Sequence, residues 1–364
     1  MPTSPLRLLQ IVHTTGYGGL ERQVLSLSLG LREAGHSVTL ALRPGSWLSR
    51  QAAREGLSWE PVRFRGLVDP LSYLDLWRIV RRRRIDIVHG HSRRSAFYSA
   101  LSARLGGCGS VATIHSLQTW KGFRRNQRMI AVSGAVRDFL VRKGLPEARI
   151  DRVYNGVGQI APPDARQRAA ARAALGLEEG DIAVAMVGRV VPHKGHDLLV
   201  RALACLPESL RNVRLFMVGD ADSQWGRGVA DLARLLGVES RVHFPGYRDD
   251  VQPVLHAMDV FVQPSRSEAL SLSLLEAMAA GLPVVAARTG GMPEVVGHER
   301  DGLLFESGDA GDLAHQLARL ADPDLRGRLG QGAVARQRSL FTTDAMVAAT
   351  ENVYRRLRQE RRHA

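Results

Sequence analysis

Short β-rich runs alternate with helical stretches along nearly the whole chain, and the rhythm begins twice. In the first half "LRLLQIVH", "HSVTLAL", "WEPVRF", "IDIVHGH", "VATIHS" and "RMIAVS" read as strands, mostly continuous and apolar as in parallel sheets. Helical segments separate them, such as "LERQVLSLSLGLREAG", which ends on a glycine in the C-cap position. A second set follows with its own helices: "DIAVAMVGRV", "VRLFMVGD", "RVHFPGY", "VFVQPS", "PVVAA" and "GLLF". Alternation of this kind specifies doubly wound α/β domains. The 364 residues suit two of them, 1–155 and 156–342, with a closing helix at about 343–364 that begins near Thr342 or Thr343. The join falls within "VYNGVGQIAPPDA", where Asn, Gly and Pro cluster ahead of the fresh helix "RQRAAARAALGL". Two open α/β domains in tandem place a ligand in the cleft between them, at the C-terminal ends of the strands.

Charge divides unevenly over that plan. Residues 1–155 hold 25 Lys+Arg against 10 Asp+Glu, a net of +15, whereas residues 156–364 hold 25 against 26, a net of −1. The densest clusters are Arg81–Arg84, "HSRRS" at His91–Ser95 and "KGFRRNQR" at Lys121–Arg128. Any one of them fits a solvated face. The imbalance as a whole points the first half toward an anionic partner, either nucleic acid or a membrane surface. Nucleic acid would want aromatics interleaved with arginine, and aromatics are only 5% of the chain. Anionic lipid headgroups suit it better, at roughly 1 kcal/mol per nearby charge.

No apolar run is long enough to span a bilayer, since Glu276 interrupts the best candidate. The start, "MPTSPLRLLQIVHTTG", lacks the pattern of a secretory signal. Cys108 and Cys205 lie far apart and suggest neither a disulfide framework nor a metal site. The expectation is a cytoplasmic chain, peripheral at the inner face of the cytoplasmic membrane.

Two glycine-bearing turns open helices. "VHTTGYGGLERQ" follows the first strand, and its Gly16, Gly18 and Gly19 let backbone N–H groups approach an anion with the helix dipole behind them. It is not the dinucleotide pattern: the third Gly is missing and Glu21 sits where the helix begins. A tight turn also uses glycine for steric reasons alone. "VGRVVPHKGHDLL" repeats the arrangement in the second half and adds Arg189 and Lys194. A planar fork of donors beside a compact point charge suits a diphosphate, though two surface cations beside a turn would look the same.

The stretch "EALSLSLLE" carries Glu268 and Glu276 in an apolar run. On one continuous helix their α-carbons would lie about 12 Å apart and about 80° around the axis. Glycosidase carboxylates work at roughly 5 Å or roughly 6.5–9.5 Å, so this pair is badly placed for one acid–base event. The pattern predicts instead a strand ending at Gln263, a loop holding Glu268 and a helix starting near Ser271, with Glu276 about one and a half turns in. The N–H groups of Ser271, Leu272 and Ser273 then face an anion, and the carboxylates on either side accept hydroxyls.

Together these elements resemble the retaining glycosyltransferases of family 4, which have the GT-B fold. The matching segments run in family order from "GYGGLERQ" through "DIVHGHSRRS", "VATIHS", "MIAVSGAV", "NGV", "VGRVVPHKGHDLL", "VGD" and "FPGYRDDV" to "SEALSLSLLEAMAAGLPVVA" and "GGMPEVV". The resemblance implies a metal-independent hexosyltransferase of bacterial surface-glycan assembly. Its donor is a nucleoside-diphosphate sugar, UDP or GDP, and its acceptor a glycan or lipid-linked molecule; no further cofactor is implied. Arg189 and Lys194 would bind the donor diphosphate with the Gly18–Gly19 backbone and the backbone at Ser271–Ser273. Glu276 would hold the ribose and Glu268 the transferred sugar. His115 would lie beside that sugar, and Tyr247 and Arg248 would flank the base. The closing helix would return to the first domain. Ser271 departs from the glycine common in relatives, and its side chain is expected to narrow the sugar pocket.

Rival readings attach to particular residues. Asp220-Ala-Asp222 looks like a metal-binding Asp-x-Asp, although its place after a strand suits a loop. His89, His91 and His115 end neighbouring strands as a zinc site would require, but no Cys or carboxylate joins them at a ligand spacing. For the whole chain the alternatives are a GT-B sugar-nucleotide epimerase, which keeps the donor site without an acceptor, and a membrane-surface or nucleic-acid binding protein.

Overall fold

The computed structural model describes residues 5–67 and 69–363, which divide into two compact units: Met1–Gly156 with Thr343–Ala364, and Val157–Thr342. The first unit is built on seven strands: β1 (Arg7–Val12), β2 (Ser37–Leu42), β3 (Ser58–Pro61), β4 (Ile87–His91), β5 (Gly109–Ile114), β6 (Arg128–Ala131) and β7 (Ile150–Arg152). All pair in parallel, in the order β3-β2-β1-β4-β5-β6-β7. Its crossovers include α1 (Gly19–Glu33), α2 (Trp47–Arg54), α3 (Pro70–Arg82), α4 (Arg93–Gly106) and α5 (Gly134–Arg142).

The second unit repeats the scheme with β8 (Ile182–Val187), β9 (Val213–Val218), β10 (Val242–Gly246), β11 (Val260–Gln263), β12 (Val284–Ala287) and β13 (Leu303–Phe305), in the order β10-β9-β8-β11-β12-β13. Its helices are α6 (Ala165–Ala174), α7 (His196–Ala204), α8 (Gln224–Leu235), α9 (Gln252–Ala257), α10 (Leu272–Ala279), α11 (Met292–Val295), α12 (Ala310–Arg319) and α13 (Pro323–Leu340). In each sheet the order reverses beside the first strand, between β1 and β4 and between β8 and β11. Ligands of doubly wound sheets bind at such switch points.

The strands form because Val, Ile, Leu and Ala fill both faces of the sheet. In the second unit Met186, Leu215, Met217, Val262, Val285 and Phe305 pack against Leu199, Leu203 and Leu313 of the flanking helices. The last helix, α14 (Thr343–His363), packs in the first unit, against α1 and β5. Its Val353, Tyr354 and Leu357 join Leu8, Ile87 and Val111 in one cluster. Full burial of such side chains contributes about 1.5–3 kcal/mol each, so this helix is bound to the unit by packing.

Three local readings need correction. Strand β7 escapes notice because "IDR" is too short to show a period. "WEPVRF" pairs only through Pro61, after which Phe64 takes a positive φ of 47°. The first helix is capped at Ala34, and the left-handed residue is Gly35 beyond it. Among the described residues no helix is long and apolar enough to cross a membrane.

Candidate active site

At the switch point of the second sheet, β8 and β11 release two loops that touch. After β8 the chain turns at Gly188, presents an exposed Arg189, and makes a short helical turn at Pro192–Lys194 before α7. Gly195 starts that helix in the left-handed region, at φ 78°. A Cβ there would lie 2.1 Å from the Pro264 carbonyl oxygen, so only glycine allows the two loops this approach. The contact is then fastened. The Arg266 amide donates to the His193 carbonyl at 2.8 Å, and its guanidinium grips both oxygens of Asp197 at 2.8 and 2.7 Å.

That junction brings together the most informative pair in the chain. Lys194 Nζ lies 2.5 Å from Glu268 Oε2, with both side chains more than four-fifths buried. The same Glu268 oxygen accepts from Ser265 Oγ at 3.2 Å, and Ser265 accepts from Gln263 Nε2 at 2.8 Å. Gln263 Oε1 in turn accepts from Ser271 Oγ at 2.7 Å and Ser273 Oγ at 3.3 Å, and Ser273 also donates to the Val187 carbonyl. One hydrogen-bonded chain therefore runs from the cation to the start of α10. Sequence reasoning missed Gln263 and Ser265. The available signal was a glutamine ending an otherwise apolar strand, since a fully buried amide must find partners.

Helix α10 places the remaining donor candidates of this unit. Ser271 is its N-cap, 2% exposed, and Ser271 Oγ accepts the Leu274 amide at 3.3 Å. Its hydroxyl turns inward to cap the helix and hold Gln263. The first-turn amides of Leu272 and Ser273 have no acceptor within the helix. Glu276 is buried one turn further on, in the helix, whereas Glu268 is on the loop. The two carboxylates therefore stand on different elements, one on the loop and one in the helix.

The histidines beside Lys194 are perturbed. Burial, then the neighbouring Lys194 cation, pushes His196 down to about 4, and His193 is lowered for the same two reasons. Both rings are neutral at pH 7. Beyond β10, Tyr247 is half exposed and donates to Asp249 Oδ1 at 2.7 Å, with Arg248 exposed beside it. Asp220 spends one oxygen on the Asp222 amide at 2.9 Å, as a loop residue does.

The other candidates lie in the first unit. Gly18 is the N-cap of α1 and Gly19 its first residue, but the first turn already holds a buried carboxylate, Glu21, hydrogen-bonded by Thr14 Oγ1. His115 follows β5, and burial holds it down at about 4. Its ring lies 5.9 Å from that of His91, which is 4.1 Å from His89. A single network sets the tautomers. His91 Nε2 donates to Gln10 Oε1, Gln10 Nε2 to the Tyr354 hydroxyl, Tyr354 to His89 Nδ1, and His89 Nε2 to Thr113 Oγ1. Both nitrogens of His89 are spent on these partners, while His91 Nδ1 and His115 Nε2 are buried without a hydrogen-bond partner.

Comparison with known proteins follows the same division. Residues 17–158 match the family described as Glycosyltransferase Family 4, and residues 167–336 match the Glycosyl transferases group 1. A D-inositol 3-phosphate glycosyltransferase of Streptomyces scabiei is 32% identical over 352 residues, covering 87% of this chain and 78% of that protein. The protein of the same name from Mycobacterium sp. strain KMS is 42% identical over 183 residues, 48% of this chain, and the match spans only 39% of that relative's length. Among solved structures, a glycosyltransferase from Rickettsia africae matches with a TM-score of 0.87 at 21% identity, over 98% of this chain and 99% of that one. Anabaena HepE in complex with UDP-glucose matches at 0.85 and 21%, over 97% and 100%. These likenesses establish the GT-B fold, with its two Rossmann-like domains.

Proposed function

The chain belongs to the family 4 glycosyltransferases, and from that premise we propose that it moves a sugar from a nucleoside-diphosphate sugar to a glycan or lipid-linked acceptor. The observation that carries this reading is the Lys194–Glu268 pair at the switch point of the second sheet. Lys194 and Arg189 take the diphosphate together with the first amides of α10. Glu268 accepts sugar hydroxyls, Glu276 the ribose hydroxyls, and Tyr247 and Arg248 flank the base. From the first unit, family resemblance nominates His115 and the Gly18–Gly19 backbone as further donor contacts.

In the step itself the bond from the anomeric carbon to the phosphate oxygen breaks. A bond to the acceptor oxygen forms on the same face, and the acceptor proton passes to the departing phosphate. The principal demand is to stabilise charge growing on the leaving diphosphate, which Lys194, Arg189 and the α10 amides meet without a metal. The relatives are named for a phosphorylated polyol acceptor. A net of +15 over residues 1–155 favours an acceptor of that charge, free or carried at an anionic membrane surface.

A thermal-shift screen of UDP, GDP, ADP and their sugars tests the donor site, because a bound ligand raises the melting temperature by mass action. One nucleotide should stand out, and the matching sugar should then be transferred, with chelator present, to D-inositol 3-phosphate or a lipid-linked glycan with retention of configuration. Absence of any nucleotide response would refute the assignment. Incubation with the nucleotide sugar alone separates transfer from epimerisation.

A further inference from the structure

Nine large apolar side chains are exposed among the described residues, and five of them lie on α3 and α4. On α3 these are Leu71, Leu74 and Trp77, exposed by 52, 38 and 39%, and on α4 Leu101 and Leu105, by 40 and 54%. The two helices pack side by side. On each, the exposed positions follow helical spacing, and arginines share the stripe: Arg78 and Arg81 on α3, Arg93, Arg94 and Arg104 on α4. Arg125 adds its guanidinium over the Phe97 ring of α4 at 5.1 Å. The only carboxylate within either helix is Asp75, 3.8 Å from Arg78.

Exposed leucines beside a tryptophan, bordered by arginines, form the face of a helix that lies in a membrane interface. The indole stays at headgroup level, while each arginine extends along the apolar surface and keeps its charge among lipid phosphates. A second copy is a poorer occupant, since a two-fold contact on this face would set arginine against arginine. Resting on the reading that the first unit works at an anionic surface, we propose that the joint outer face of α3 and α4 docks onto an anionic lipid bilayer. The leucines and Trp77 enter the interface, and the arginines select negative headgroups.

Flotation of the full chain with phosphatidylcholine vesicles, with and without phosphatidylglycerol, tests this. Binding should require phosphatidylglycerol and weaken as salt rises. Leu71→Ser with Leu74→Ser should lower the partition at least about tenfold. Brominated lipid should quench the protein's fluorescence, and less so in Trp77→Phe. Neither variant touches the donor residues, so transfer to a soluble acceptor should persist and show that both are folded. If the wild type binds anionic vesicles and the leucine variant binds equally well, this face is wrong while the membrane reading stands. Failure of the wild type to bind overturns both, without bearing on the donor site. A concentration-dependent dimer that Leu74→Ser abolishes would assign the face to a second copy and sink the proposal.

Discussion

The first sheet leaves β1 through Thr14–Gly18 and enters α1 with Glu21 buried in the first turn. The second leaves β8 through Gly188–Lys194 and enters α7 with Lys194 at the mouth. Both openings stand at the switch point of a parallel sheet and both use glycine. Their charged groups differ: the first buries the carboxylate of Glu21, with the Arg43 and Arg94 cations acting on His13 at its start, whereas the second carries Arg189 and Lys194. Total charge bears on long-range attraction to an anionic partner, whereas a diphosphate would respond to groups within a few ångströms, where surface arginines further away are screened.

The largest effects should come from the cationic opening. Lys194→Ala and Glu268→Ala should each cost about 3–4 kcal/mol of transition-state stabilisation, a loss of roughly a hundred- to a thousandfold in kcat/KM with the fold intact. The double variant should be little worse than either, since the residues act as one unit. Near-normal turnover in either single variant would falsify the site, and full additivity would separate the pair.

Next in size is the junction that positions this pair. Gly195→Ala forces a side chain into the left-handed region and against the Pro264 carbonyl, so it should destabilise the second unit by more than about 2 kcal/mol. A melting temperature lower by several degrees should report it. An unchanged melt would mean that the loops are free to part.

Acid should distinguish the two units more gently. Burial first of all holds His13 and His115 at about 4 and His89 at about 3 in the first unit, and lowers His91 as well; in the second it holds His196 at about 4 and lowers the less buried His193 and His243. Each of these rings binds a proton on unfolding once the pH is below about 6.5. Their contribution is whole above that pH and is lost as the pH falls toward about 4. Hydrogen exchange at pH 7 and pH 5, corrected for intrinsic rates, should show the first unit losing more protection. Equal losses would contradict this assignment.

The smallest effects belong to single atoms. Gly18 is extended at φ −177°, and an added Cβ would meet only Glu21 Oε2, at 3.3 Å. Gly18→Ala should then change donor affinity by less than about threefold. A tenfold loss would make the two openings equals. Ser271→Gly should cost a few tenths of a kcal/mol through the cap and leave sugar preference unchanged. A switch of donor sugar in that variant would restore the pocket role that the inward hydroxyl argues against.

Much of the fold was legible because a strand buried on both faces writes its apolar run into consecutive residues. Twelve of the thirteen strands are legible in the sequence, though β3 and β10 are only partly buried, and β7, three residues long, is not. The donor candidates were legible for a related reason: Lys194, Glu268 and Glu276 interrupt apolar or glycine-bearing stretches where a buried charge is costly unless it is paired, and Arg189 follows a glycine turn. Gln263 and Ser265 were not, since an amide and a hydroxyl look ordinary until their partners are known. Ser271 was visible, but the direction of its hydroxyl was not, because sequence gives a side chain's size without its direction.

The sequence by itself determined the alternation of strand and helix, the seam near residue 156, the charge asymmetry and the positions of the two glycine turns. All of these depend on neighbours within a few residues, which period and composition record. Only the tertiary structure decided that β11 lies beside β8. That pairing closes Lys194 onto Glu268 across 74 positions and turns the Ser271 hydroxyl toward Gln263. The helix packing that selects one strand as the neighbour of another is a property of the whole sheet, and no local run of residues encodes it.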